Sequence, residues 1–234
     1  MKKMNLINQG AEAVNYSVPL LSKLGVGQSV QRFFYKTFYY DQAGRLVFPY
    51  QYNGQSKDNE VFGFKTVRLA CTNGFWSAGD HHQPSNIFLS FSAMEAIAFA
   101  HVNYSKFNGF SRCLFVALGV KPTKPQILFL KRRFKNSNFH TVFSNDLIGK
   151  IYDCQASLWL SNKDCTFCLN DNLITVTAIA DDKSTQKAVS ISRGQFSYFA
   201  FHRQFGKRSN LKTHKPSDRQ QFSFLSFLAL KNDF

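Results

Sequence analysis

A chain of 234 residues with 44% hydrophobic content is long enough to bury a sizeable core, either as one large domain or as a main domain with a small appendage. No apolar run approaches the roughly 18 residues that a membrane-spanning helix needs, and the opening Met1-Lys2-Lys3 turns polar before a signal-like apolar segment forms, so a cytoplasmic protein with no membrane partner is expected. The net charge of +15, from 29 basic and 14 acidic residues, points to a polyanion rather than to a cationic partner.

In chain order, residues 11–34 have helical patterning, and Leu20 to Leu24 run into Gly25, a residue suited to a helix C-cap. Residues 45–50 and 61–68 read as two strands joined by a polar loop over 53–59. From Ile87 the elements alternate: a strand at 87–90, a helix at 92–107, a strand at 112–118, a helix from Thr123, a strand at 139–143, a helix at 147–160 and a fourth strand at 173–179. Near-continuous apolar strands separated by helices imply an α/β fold with a mainly parallel sheet flanked by helices, preceded by a small α+β segment with a β-hairpin. The expected divisions are an N-terminal helix and hairpin segment at 1–80, the α/β unit with basic, aromatic C-terminal strands at 81–220, and an apolar tail at 221–234. The stretch from Phe222 to Leu230 suits a terminal helix, an edge strand or a dimer surface.

Two short segments carry a resemblance. Leu89-Ser90-Phe91-Ser92-Ala93-Met94-Glu95-Ala96 is similar to strand-E-(S/G)-x-x-(D/K)-A-L, and Val142-Phe143-Ser144-Asn145-Asp146-Leu147-Ile148-Gly149 is similar to strand-D-x-D-x-x-G. Together they resemble the Toprim domain shared by DNA primases and topoisomerases. The hairpin region, with Arg45, Phe48, Pro49, Gly63 and Phe64, and with the last arginine one place late at Arg68, resembles the R-(I/V)-x-F-P and G-F-x-x-R elements that precede that domain in primases. The resemblance implies a glutamate as general acid/base and two aspartates holding Mg2+ at a phosphodiester. This chain has Phe91 at the glutamate position, Ser144 at the first aspartate and only Asp146 at the second. What it implies is therefore a primase-related protein with a degenerate acidic site, retained for nucleic-acid binding, of the kind encoded on bacterial mobile elements and serving their replication or mobilisation. An active Mg2+-dependent primase or nuclease with a relocated site built from Asp146, Asp153 or Asp218 is one alternative, and a protein-interaction module with no nucleic-acid role is another.

Two carboxylates are candidate catalysts. Glu95 either does chemistry or completes a capping box with Ser92. Asp146 either holds Mg2+ or caps the helix that follows, and a lone carboxylate is a poor Mg2+ site.

The cations are better placed for a function. Glu95 to Asp146 and Asp182 to Asp218 are two acid-free stretches rich in Lys and Arg. Such stretches suit DNA, single-stranded or duplex, or alternatively RNA, because each cation near a phosphate releases condensed counterions. The candidate contacts are Arg132, Arg133, Lys150, Arg193, Arg203, Lys207, Arg208, Lys212 and Lys215. Between Arg193 and Arg208 aromatics interleave with cations, so Phe196, Tyr198 and Phe201 either stack bases or alternate into the core of a strand. Five scattered cysteines do not form a secreted disulfide framework. Cys165 and Cys168 make half of a zinc pattern, with only His81 and His82 to complete it.

Overall fold

The computed structural model describes residues 17–179, 188–205, 210–218 and 221–232. Two short helices open it, α1 (Pro19–Lys23) and α2 (Gln28–Phe34). Gly25, at φ +74°, follows the first; the amides of Gly25 and Val26 reach back to the carbonyls of Ser22 and Leu21, the paired bonds of a Schellman motif.

Strands β1 (Tyr39–Tyr40), β2 (Leu46–Tyr52), β3 (Gln55–Phe62) and β4 (Val67–Arg68) form an antiparallel sheet in sequential order. The polar stretch expected as a loop over 53–59 is a two-residue turn followed by the first half of β3. Asn53 and Gly54 both take positive φ, as a type I′ hairpin requires, and β3 can be polar there because its first residues are exposed.

Next come β5 (Trp76–Gly79), β6 (Asn86–Ser90), α3 (Ala93–Asn103), β7 (Cys113–Ala117), α4 (Lys124–Arg133), β8 (Asn138–Thr141) and α5 (Leu147–Leu160). Three antiparallel strands follow, β9 (Asp164–Asn170), β10 (Leu173–Ile179) and β11 (Ala188–Ser192), then α6 (Tyr198–Phe205), β12 (Lys212–Thr213) and α7 (Phe224–Lys231). The main sheet has the order β12-β8-β6-β7-β5; all neighbours are parallel except β5 with β7.

The fold is thus mixed α/β, with a mostly parallel five-stranded sheet flanked by helices and a separate antiparallel hairpin sheet. Both faces of the main sheet are buried, and alternation within β6 and β7 divides the core. Phe88 and Phe115 point toward α2, α3 and α7, whereas Ile87, Leu89, Leu114 and Val116 point toward α4, α5 and the three-stranded sheet.

Two expectations are corrected. The strand at 173–179 is β10, the centre of the antiparallel β11-β10-β9 sheet rather than a fourth parallel strand. The part of the basic, aromatic segment at 198–205 is not a strand but helix α6, with Tyr198, Phe201 and Phe205 buried at helical spacing. The apolar stretch near the C-terminus resolves as helix α7, capped by Ser223 and packed against α3.

No helix among the described residues is long and apolar enough to cross a membrane.

Candidate functional site

Strand β6 lies between β7 and β8. The chain leaves β6 for one neighbour and then crosses to the other side, so the carboxyl ends of β6 and β8 flank a topological switch point, where open α/β sheets place their ligands. Phe91 and the 142–146 segment, the two candidate motifs, end up there together.

What fills this crevice is aromatic. Phe91 and Phe143 pack with ring centroids 4.5 Å apart, and Tyr152 of α5 meets Phe91 edge-on at 5.3 Å. Beside them runs a cation. Lys215 Nζ donates to the carbonyls of Phe143 (2.8 Å) and Ser144 (2.9 Å) and forms an ion pair with Asp153 Oδ2 at 2.7 Å. Thr141 Oγ1 donates to Asp153 Oδ1 at 2.6 Å. Burial pushes the Asp153 carboxyl up, and the Lys215 ammonium opposes that rise. Lys215 was expected on phosphate; instead its three donors are engaged inside the fold, so it acts as a brace between β8, α5 and the segment leading to α7.

Two further carboxylates are buried at α3, Glu60 against its amino end and Glu95 within its first turn. Glu60, on β3, accepts from the amides of Ala93 (2.7 Å) and Met94 (3.1 Å) and from the Tyr50 hydroxyl (2.9 Å). It therefore holds the amino end of α3, where free amides and the helix dipole favour an anion. Burial raises its pKa to about 7, against the pull of those donors. Glu60 is not among the sequence candidates, because it falls between the expected loop at 53–59 and the expected strand at 61–68. The available signal was its register: opposite Phe48 on β2, it takes an inward-facing place.

Glu95 departs from the capping box expected of it. Ser92 Oγ does accept from the Glu95 amide at 3.0 Å, but the Glu95 carboxylate turns away to the amides of Phe224 (2.6 Å) and Leu225 (3.1 Å), holding the start of α7. Its pKa is also raised to about 7 by burial. Buried and held by these backbone amides, the carboxylate caps the start of α7.

Asp146 is the N-cap of α5. One carboxylate oxygen accepts from the Gly149 amide at 2.7 Å and from Ser144 Oγ at 2.8 Å. The side chains implied for Mg2+ do not fit the ion. Phe91 is apolar, Ser144 is bonded to Asp146, and among the described residues no three His, Cys, Asp or Glu side chains form a metal-holding set, Asp146, Asp153 and Asp218 included.

The motif glycine has a local reason. A Cβ at Gly149 would lie 2.0 Å from the Ser144 carbonyl oxygen. Gly149→Ala is therefore expected to push α5 off its cap and cost roughly 2–4 kcal/mol, read by urea unfolding. A loss below about 0.5 kcal/mol would show that the turn relaxes freely.

The remaining cationic candidates do not gather at the crevice. Lys150 sits half-buried in the first turn of α5. Arg132 and Arg133 are exposed at the end of α4, near the amino ends of the parallel strands. Lys212 is exposed on β12, Arg203 on α6, and Arg193 in the turn after β11. Lys207 and Arg208 lie outside the described residues. In the aromatic segment Phe196, Tyr198 and Phe201 are core residues, and Phe199 is the one left 76% exposed. Cys165 is buried and Cys168 exposed, on opposite sides of β9, so the two thiols cannot share a metal.

No family model matches the chain, and no curated protein matches it. Among solved structures, a chain of the bacteriophage T7 lagging-strand DNA polymerase interacting with primase domains of two gp4 subunits, an RNA/DNA hybrid and dTTP is similar at 16% identity, over 60% of this chain and 73% of that one, with a TM-score of 0.41. At that overlap the likeness carries no functional conclusion of its own.

Proposed function

We propose that this protein is a Toprim-like, primase-related nucleic-acid-binding protein that has exchanged an acidic site for a packed, lysine-braced crevice and serves binding rather than phosphoryl transfer. The observation that carries this reading is the unequal fate of its charges. Glu60, Glu95 and Asp153 are withdrawn into the core, and Asp41 and Asp58 pair with Arg45 and Arg68. Lys121, Arg132, Arg133, Lys135, Arg193, Arg203 and Lys212 meanwhile stand exposed. With a chain net charge of +15 and these described cations exposed, the protein has the electrostatic footprint of a phosphate-backbone binder.

Chemistry is disfavoured at the crevice for a separate reason. Loss of a positioned general acid/base alone lowers a rate by about a hundredfold to ten-thousandfold, and here Phe91 takes that place beside Ser144 and a single carboxylate. DNA is the proposed partner, single-stranded or duplex. The setting suggested by the resemblance is replication or mobilisation of a mobile element.

The test is fluorescence anisotropy with labelled single-stranded and duplex DNA across a salt series, with and without Mg2+. Micromolar or tighter binding at low salt is expected, weakening as log salt rises with a slope of about 0.7–0.9 per phosphate contacted, and not strengthened by Mg2+. No binding at low salt would sink the reading in favour of a protein-interaction module. Mg2+-dependent cleavage or nucleotide incorporation would restore the enzyme.

A further inference from the structure

A second cavity lies away from the crevice. It is a groove of about 920 Å³ between the hairpin sheet, edge strand β5 and helix α4. That volume falls in the upper part of the range of ligand sites, about 300–1,000 Å³. One wall is tied down by a pair of backbone hydrogen bonds, 3.0 Å each, between Gln51 of β2 and Phe75, which join the two sheets beside the groove.

The lining has a consistent chemistry. Phe38, Phe75 and Phe129 offer ring surface, with Phe75 and Phe129 at 5.8 Å, and Tyr39 stands 51% exposed at the rim. Cations flank the rings, Lys36 on the hairpin side and Arg133 on the other, and His81 lies beside Arg133 with its pKa lowered by burial, so it adds a neutral ring. None of the lining residues is acidic. The nearby Asp80 carboxylate is occupied by the amides of His82 and Gln83 at 2.8 and 3.1 Å. Gln51 and Asn53 add amide groups able to donate and accept toward a base edge.

Rings for stacking, cations for phosphate and no competing anion are the elements of a single-stranded nucleic-acid groove. We infer that this groove binds a base with its phosphate, as one unit of a single strand or as a free nucleotide, with Tyr39 and Phe129 stacking and Lys36 and Arg133 meeting phosphate. The inference rests on the nucleic-acid reading above and deepens it, by naming where the strand lies and which element of the ligand is read. A duplex has its bases already stacked, so it gains only the phosphate contacts.

The experiment is photocrosslinking of a short single-stranded DNA carrying 5-iodouracil, followed by peptide mapping, with anisotropy on Lys36→Glu/Arg133→Glu and on Arg203→Glu/Lys212→Glu. All four residues are exposed, so both double variants should fold. Crosslinks at Phe38, Tyr39 or Phe129 are expected, with the groove pair weakening single-strand binding by at least about tenfold and the distal pair by less than about threefold. Crosslinks confined elsewhere, with equal losses in both double variants, would overturn the groove and leave nucleic-acid binding standing. No binding of any oligonucleotide at low salt would overturn both. A parallel arm titrates ATP against Trp76 fluorescence in Trp159→Phe: saturable quenching identifies a free nucleotide as the occupant, and no quenching alongside groove crosslinks identifies the strand.

Discussion

Replacing Lys215 with methionine is expected to cost about 3–5 kcal/mol of folding stability, because it strands a buried carboxylate. Asp153 is 1% exposed, and its Oδ2 meets Lys215 Nζ at 2.7 Å. The same substitution frees the carbonyls of Phe143 and Ser144, which lose their only described side-chain donor. For a chain of this size the loss corresponds to a melting temperature lowered by about 10 °C. The double variant Lys215→Met/Asp153→Leu separates charge burial from simple loss of packing: with no charge left to strand, it should recover most of the deficit. A single-variant cost below about 1 kcal/mol, or a double variant no better than the single, would show that the brace is incidental.

The second large effect is in the pH dependence, where two buried pairs oppose each other. Glu60 and Glu95 have folded pKa values near 7 against an ordinary 4.5, so the native state holds two protons that the unfolded chain has released between those values, and this contribution to stability is lost as pH rises. His140 and His214 run the other way. Their rings stack in a pocket with Phe88, Phe99 and Phe107; His140 Nδ1 lies 2.9 Å from His214 Nε2, and its Nε2 lies 3.0 Å from Asn86 Oδ1. Burial and the neighbouring ring lower His140 to about 3, and burial with nearby lysines lowers His214 to about 4. The unfolded chain therefore binds two histidine protons below about 6.5 that the native state refuses, and this contribution grows as pH rises.

From pH 4.5 to 6.5 the two differences nearly cancel, so these four groups together are expected to leave the wild-type stability little changed. Glu60→Gln/Glu95→Gln removes one side of the balance. Its stability should then fall by about 2–3 kcal/mol per pH unit on acidification through that window, since each proton contributes about 1.4 kcal/mol per unit. Urea unfolding at several pH values measures both curves. Parallel curves for wild type and variant would refute the opposing-pair account whatever their absolute offset.

Much of the fold is legible from local pattern. Helix α5 occupies residues 147–160 as its spacing foretells, with Asp146 as its cap, and the apolar runs at 86–90 and 113–117 are buried strands. Errors arose where a short pattern admits two periods. Phe196, Tyr198 and Phe201 alternate well enough for a strand, but Tyr198, Phe201 and Phe205 also repeat at three and four, and packing against α5 and β11 selects the helix. In β10 the β-branched run correctly marked a strand, yet nothing in it distinguishes a parallel neighbour from the antiparallel partners β9 and β11.

The candidate site was legible only as an absence. The sequence alone determines that Phe91 and Ser144 replace the acids the resemblance calls for, that Asp146 can cap α5, and that the chain carries an excess of cations, since each of these depends on residue type and near neighbours. Only the tertiary structure decides that Glu60 holds α3 from 33 residues before Ala93, that Glu95 serves α7 from 129 residues before Phe224, and that Lys215 leaves the phosphate-facing set to brace Asp153. The physical reason is that a buried charge is satisfied by whichever partner the topology brings within reach, and sequence distance places no limit on that partner.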